Sequence, residues 1–258
     1  MKAVLLAGGK GQRAKPFSDY IPKALIPVKG RPIIDHIVRY LDGSPLFTNI
    51  IIVCEFDLWG KQIINYFEGK EKLYSKEITF IEDKKNGTGG ALLKTQQIIN
   101  TDEYFLVWFS DNLCALNIED LVKYYQIVKN SVNKTSPLVG IVVSRKYRYE
   151  ETGRLIIDED NENEIKEFIE KPTILLDSPE GLGIYLFTTQ IFKYLNQKKV
   201  VKKEKFDLSH DILASIPKSN GKLFSYMLDK DQNWIDIQSP VYAERNNKII
   251  EKIILQMT

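Results

Sequence analysis

The chain has 258 residues, enough for one large α/β domain or two small ones. Its hydrophobic fraction is 43%, ordinary for a globular protein, and 36 basic against 34 acidic residues leave a net charge of +2. Near-neutral charge argues against a nucleic-acid or membrane-surface partner. No apolar run is long enough to span a bilayer and no basic-then-apolar leader opens the sequence, so the expected location is the cytoplasm.

Met1–Leu6 is a short apolar run, predicting a buried strand. It runs into Ala7-Gly8-Gly9-Lys10-Gly11, which has little side-chain bulk, followed by Arg13, Lys15 and Lys23. A strand entering a glycine-rich loop flanked by cations predicts a phosphate cradle, since the backbone N–H groups can approach an anion closely. Apolar residues at 33, 34, 37, 38 and 41 predict a helix with Pro32 in its first turn. Strands are predicted at Asn49–Cys54, Ile78–Ile81 and Tyr104–Phe109, and helices at Leu58–Phe67, Thr88–Ile99 and Ile118–Lys129. This alternation predicts a mostly parallel sheet covered on both faces.

After Pro137 the rhythm changes. Strands are predicted at Leu138–Ser144, Leu155–Asp158, Ile165–Glu170, Leu182–Phe187, Leu223–Leu228 and Trp234–Ile237. Residues 159–164 read as a hairpin turn, Phe206–Ile216 as a helix, and Ser239-Pro240 as the start of a last helix reaching about Leu255. Cys54 and Cys114 lie in or beside apolar strands and read as buried, reduced core residues, with no metal-binding cysteine cluster. With no repeat and no linker, the expectation is a single domain spanning 1–258, with a nucleotide half to residue 136 and a second half from 137 to 258.

Two common phosphate loops compete for the opening stretch. The Walker A pattern needs Gly-Lys-Ser/Thr, but the Gly-Lys pairs here precede Gly11, Gln62, Glu71 and Leu223. Gly9-x-Gly11-x-x-Ala14 fits the dinucleotide fingerprint, but Pro16 and Pro22 interrupt the helix that it requires, and the second strand ends near Glu55, too late for the ribose-binding acid. A purely structural glycine turn would not explain the surrounding cations. Elsewhere, Ser110-Asp111-Asn112 follows a strand, where open α/β sheets place ligands, although a lone Asp there is more often a turn former. Ser209-His210-Asp211 is no hydrolytic triad, because adjacent residues cannot align nucleophile, base and orienter, and His36 reads as structural.

Leu6-Ala7-Gly8-Gly9-x-Gly11-x-Arg13, then Pro16, Pro22-Lys23, Leu25, Pro27-Val28 and Arg31-Pro32, resembles the signature of the sugar-1-phosphate nucleotidyltransferases, or nucleotide-sugar pyrophosphorylases. The resemblance implies a Rossmann-like, mostly parallel but mixed sheet sandwiched by helices, the nucleotide-diphospho-sugar transferase fold. It implies a nucleoside triphosphate and a sugar 1-phosphate as substrates, pyrophosphate as a product and Mg²⁺ as cofactor. It assigns catalysis to Arg13 and Lys23, and nucleotide binding to Leu6, Ala7, Gly8, Gly9, Gly11, Gly87 and Thr88. Sugar-phosphate binding goes to Asn112, Gly153, Glu170, Lys171 and Gly183, and metal binding to Asp111 and Asp236. Physically, Arg13 offers a bidentate fork for pyrophosphate, Lys23 a point charge, and two Asp carboxylates suit Mg²⁺ alongside phosphate oxygens and waters.

The sequence departs from the family pattern at Ser110 and Gln238, usually Gly, at Lys85-Asn86, usually Pro-Leu, and at Gly181, often Asn. Gly87-Thr88-Gly89-Gly90-Ala91 resembles branches that transfer guanylyl groups to mannose or heptose 1-phosphate. The alternatives are thymidylyl or uridylyl transfer to glucose 1-phosphate, cytidylyl transfer to a non-sugar phosphate, and a non-catalytic regulatory homologue. No hexapeptide β-helix is expected after the last helix, and a homodimer is possible through the core.

Overall fold

A computed structural model describes the chain apart from residues 10, 100, 134, 147–152, 173–177, 203–204 and 258. The first half holds β1 (Lys2–Leu6), β2 (Pro27–Val28), β3 (Arg31–Pro32), α1 (Ile33–Gly43), β4 (Asn49–Cys54), α2 (Lys61–Phe67), β5 (Glu77–Glu82), α3 (Gly87–Leu93) and α4 (Gln96–Ile99). It continues through β6 (Tyr104–Phe109), β7 (Asn112–Cys114) and α5 (Ile118–Ser131). The second half holds β8 (Leu138–Arg145), β9 (Arg154–Asp158), β10 (Glu164–Ile169), β11 (Glu180–Thr188), α6 (Ile191–Lys202), β12 (Lys222–Met227), β13 (Trp234–Asp236), α7 (Pro240–Arg245) and α8 (Asn247–Gln256).

Nine strands form one sheet in the order β5-β4-β1-β6-β11-β8-β12-β10-β9. The first four are mutually parallel, as the strand–helix alternation predicts. The second half changes the hand of the pairing: β11 runs antiparallel to both β6 and β8, and among its neighbours only β8 and β12 are parallel. The sheet is therefore mixed.

Each central strand is apolar on both faces because each face meets its own core. Ala3, Leu5, Ile50, Ile52, Leu106 and Trp108 enter one cluster, with α1, α5 and α8. Val4, Leu6, Ile51, Val53, Phe105 and Val107 enter the other, with α3 and α6. Period-two alternation between two apolar environments leaves no polar face, which is why the strands read as continuous hydrophobic runs. Cys54 and Cys114 are buried free thiols, and burial pushes the Cys54 thiol up to about 12.

Four predicted elements differ. The helix predicted at 58–67 begins only at Lys61. The single helix predicted at 88–99 is broken between α3 and α4, where the Thr95 hydroxyl donates to Leu92 O and competes with the helical ladder. The predicted helix at 206–216 is a π-helical turn at Leu208–Ile212 followed by a 3₁₀ turn at Leu213–Ser215. Ser239 caps the last helical stretch as expected, accepting from Tyr242 N at 3.1 Å. That stretch divides at Asn246, whose side-chain amide donates to Tyr242 O at 2.9 Å. Helix α6 has no predicted counterpart. Its Ile191, Phe192 and Leu195 are buried, but the polar residues after them hide the stripe.

Candidate functional site

The glycine loop leaves β1 at the carboxyl edge of the sheet. Gly11 has φ +52°, in the left-handed region, and a β-carbon there would lie 3.2 Å from Ser18 Cβ and 3.3 Å from Lys23 Cβ. Ser18 Oγ donates to Gly11 O at 2.8 Å. The loop is thus folded directly onto the segment that carries Lys23. Leu6, Ala7, Gly8, Gly9, Gly11, Arg13 and Lys23 all line a cavity of about 410 Å³. Lys10, part of the glycine-rich stretch above, lies outside the described residues.

Asp111 and Asp236 are 125 positions apart in sequence (236 − 111) yet meet in the fold. The short antiparallel pair β7–β13 does this: Asp236 stands opposite Asn112, and Ile237 N donates to Asp111 O at 2.9 Å. Lys23 Nζ then bridges the two carboxylates, 2.8 Å from Asp111 Oδ2 and 3.0 Å from Asp236 Oδ1. Arg13 Nη2 lies 3.3 Å from Asp236 Oδ2. Burial pushes the Asp236 carboxyl up, and the Asp111 charge adds to this against the pull of Lys23 and Arg13. Burial also opposes the Lys23 charge, but the two carboxylates outweigh it and hold its ammonium above its ordinary value.

Among the described residues no group of three or more His, Cys, Asp or Glu side chains could hold a metal. A pair of oxygen donors already gathered around one ammonium nevertheless suits Mg²⁺, which uses one or two carboxylates and completes its shell with waters and substrate phosphates. The donor set fits that ion, and fits a thiolate-preferring metal badly.

Gly87 and Thr88 open α3 and line the same cavity. Gly87 has φ +77°, and a β-carbon there would sit 2.3 Å from Phe206 O. The Thr88 hydroxyl donates to Asp207 Oδ2 at 2.7 Å and accepts from Leu208 N at 2.8 Å. It therefore fastens the π-helical turn to α3, and what Thr88 offers the cavity is backbone and methyl surface.

The residues assigned to the sugar phosphate lie outside this cavity lining, on the β9–β11 side. A β-carbon at Gly153 would lie 3.0 Å from Glu170 Oε2, so these two share one corner. Burial, then the Asp207 charge, pushes the Glu170 carboxyl up. Lys171 is exposed and has φ +43°. Gly183 lies over Asn112, since a β-carbon there would come 2.5 Å from Asn112 Nδ2. Asn112 is itself buried and donates to Leu182 O at 3.0 Å, which ties β7 to β11. The His210 side chain is largely exposed, while Ser209 is buried, so the Ser-His-Asp run is no triad.

Sequence reasoning missed Glu55, Asp83, Lys85 and Lys205, which also line the cavity. Glu55 and Asp83 directly follow β4 and β5, and the rule that ligands gather at carboxyl ends of parallel strands would have found them.

Residues 2–251 match the family described as Nucleotidyl transferase. The chain belongs to that family. Among curated members, the bifunctional protein GlmU of Methanocaldococcus jannaschii is 30% identical over 257 residues, covering 98% of this chain and 55% of that protein. The mannose-1-phosphate guanyltransferase of Debaryomyces hansenii is 26% identical, covering 93% of this chain and 62% of that protein. The chain spans about half the length of the first of these relatives. A solved structure of a glucose-1-phosphate thymidylyltransferase from Bacillus anthracis, described as putative, superposes with a TM-score of 0.78 at 22% identity, covering 96% of this chain and 94% of that one. HddC from Yersinia pseudotuberculosis, complexed with GMP-PN, superposes with a TM-score of 0.71 at 22% identity, covering 96% and 99%. These two solved structures share the fold of the chain, the mixed sheet with flanking helices.

Proposed function

We propose that the chain transfers a nucleotidyl group from a nucleoside triphosphate to a sugar 1-phosphate and releases pyrophosphate. One observation carries this reading: the β7–β13 pair brings Asp111 and Asp236 together around Lys23, beside Arg13 and the glycine loop. Phosphoryl transfer needs positioning and charge neutralisation rather than covalent help from the protein. Backbone N–H groups of Gly8, Gly9 and Gly11 cradle the triphosphate. The Arg13 guanidinium, on a side chain that lines the cavity and is more than half exposed, neutralises the departing pyrophosphate. Lys23 places its ammonium against the α-phosphate as the sugar-phosphate oxygen attacks. Asp111 and Asp236 would hold Mg²⁺, which supplies charge stabilisation to the phosphate oxygens. Glu170 accepts from sugar hydroxyls and exposed Lys171 receives the sugar phosphate, with Gly153 and Gly183 leaving room for the ring.

Guanylyl transfer to mannose or heptose 1-phosphate is the leading substrate pair. It is supported by the Gly87–Ala91 segment and by curated relatives named mannose-1-phosphate guanyltransferase. A cytoplasmic location accords with the absence, among the described residues, of any helix long and apolar enough to cross a membrane. The test is pyrophosphate release from each nucleoside triphosphate against a panel of sugar 1-phosphates with Mg²⁺. Release with one base and one sugar is expected, and no release with any pair would sink the reading.

A further inference from the structure

The carboxyl ends of β4 and β5 put acids into the same cavity, away from the reacting groups. In the order β5-β4-β1-β6, the strand before Asp111 and the strand before Asp83 lie three positions apart. At about 4.8 Å per strand this is roughly 14 Å, enough for a ribose and a base between them. Asp83 N donates to Cys54 O at 2.8 Å, which fixes the backbone at this end. The two carboxylates there differ in availability. Glu55 Oε2 is 3.2 Å from Lys85 Nζ, and the same ammonium is 3.0 Å from Asp57 Oδ2, so Lys85 is committed to those two. Asp83 accepts from Lys85 N through Oδ1 at 2.9 Å. Its Oδ2 is turned to the glycine loop: a β-carbon at Gly8 would lie 2.4 Å from it. Gly8 therefore leaves room for this oxygen at the cavity wall.

Building on the nucleotidyl-transfer reading, we infer that Asp83 selects guanine, accepting from the base's adjacent N1–H and exocyclic amino group. An ionised carboxylate is an acceptor only, and two parallel donors on one edge match its two oxygens. Guanine alone among the common bases presents that pair. Uracil and thymine flank their one N–H with carbonyls, which a carboxylate repels. Adenine and cytosine place an acceptor beside their amino group. Burial pushes the Asp83 carboxyl up, with Lys85 opposing, so donors that replace its lost water are bound with a gain. Oδ1 keeps its Lys85 bond as a shared acceptor, since a carboxylate oxygen has two lone pairs.

Nucleotide binding without any sugar phosphate tests this separately from the reaction. Calorimetry on the whole chain should show GTP bound roughly tenfold or more tightly than UTP or dTTP, the size of one good bidentate pair. Asp83→Asn is isosteric and replaces one acceptor with a donor. It should weaken GTP by roughly tenfold or more and improve binding of XTP, whose C2 oxygen accepts where guanine donates. A structural role for Asp83 would weaken all nucleotides alike. Equal wild-type binding of GTP and UTP, or an unchanged GTP-to-XTP ratio in Asp83→Asn, overturns the inference. If pyrophosphate is still released with another base, the transfer reading survives that result. Binding of no nucleotide overturns both.

Discussion

Arg13 and Lys23 are both cations of the site, but the fold depends on them unequally. The Arg13 side chain is 53% exposed and meets one carboxylate at 3.3 Å, so its removal leaves the packing untouched. Arg13→Ala should melt at the wild-type temperature by circular dichroism and lose about 100-fold or more in turnover, roughly 3 kcal/mol of transition-state stabilisation. Unchanged turnover would remove Arg13 from the mechanism. Asp236 is the opposite case, because the proposed reaction would hold it where stability does not want it. Its carboxyl is pushed up by burial and by Asp111. Between the ordinary carboxylate value and that raised value the folded chain keeps a proton that the unfolded chain has released. Stability attributable to this group is therefore lost as pH rises through that window. Asp236→Asn should abolish pyrophosphate release in the presence of Mg²⁺ yet, in metal-free protein at neutral pH, raise the melting temperature, by about 2–4 °C for each kcal/mol gained. A lower melting temperature would show that the Lys23 pair outweighs burial and repulsion. The residue types of this site were legible in the sequence, because each sits in a short motif of its own. The Lys23 bridge between Asp111 and Asp236 was not, since it depends on a contact across 213 residues.

At the scale of elements, precision comes from short pieces that periodicity does not reveal. The β7 strand has three residues and β13 has three, yet their register alone sets the carboxylate pair. The central strands were legible because both faces are apolar over five or six residues. The breaks at Thr95 and Asn246 were not, since each arises where a side chain bonds a helical carbonyl. The turn at Leu208–Ile212 was read as ordinary helix because its shape is imposed from outside, by Thr88 and by Asp207, which accepts from Ser209 N and His210 N. Gly87 is the hinge of this arrangement. Gly87→Ala forces an L-residue to φ +77° and drives its β-carbon into Phe206 O. The left-handed conformation alone costs about 1–2 kcal/mol, so the melting temperature should fall by about 4–8 °C once Phe206 must also move. Nucleotide affinity should fall with it, because α3 and the turn at Phe206 move together. Wild-type melting with intact affinity would show that the turn yields without cost.

At the scale of the molecule, the two halves of the chain, 1–136 and 137–258, share one sheet rather than meeting at an interface. Strand β6 has β1 on one side and β11 on the other, and its pairing with β11 runs through five residues, from Tyr104 opposite Thr188 to Trp108 opposite Ile184. Phe105 packs on Phe187 and Phe192 from the second half, with ring centroids 6.2 and 5.6 Å apart. The Asp111 and Asp236 carboxylates, bridged by Lys23, repeat the pattern, one from each half. A chain cut after residue 136 would leave β6 as an open, apolar edge and strip Phe105 of both aromatic partners. Such an edge invites pairing between copies. The 1–136 fragment should therefore aggregate or unfold without a cooperative transition in urea, while the whole chain unfolds in one step by both circular dichroism and tryptophan fluorescence. A sharp, reversible transition in the isolated fragment would mean that the parallel half carries its own stability, and that the β6–β11 ladder joins two units that fold separately.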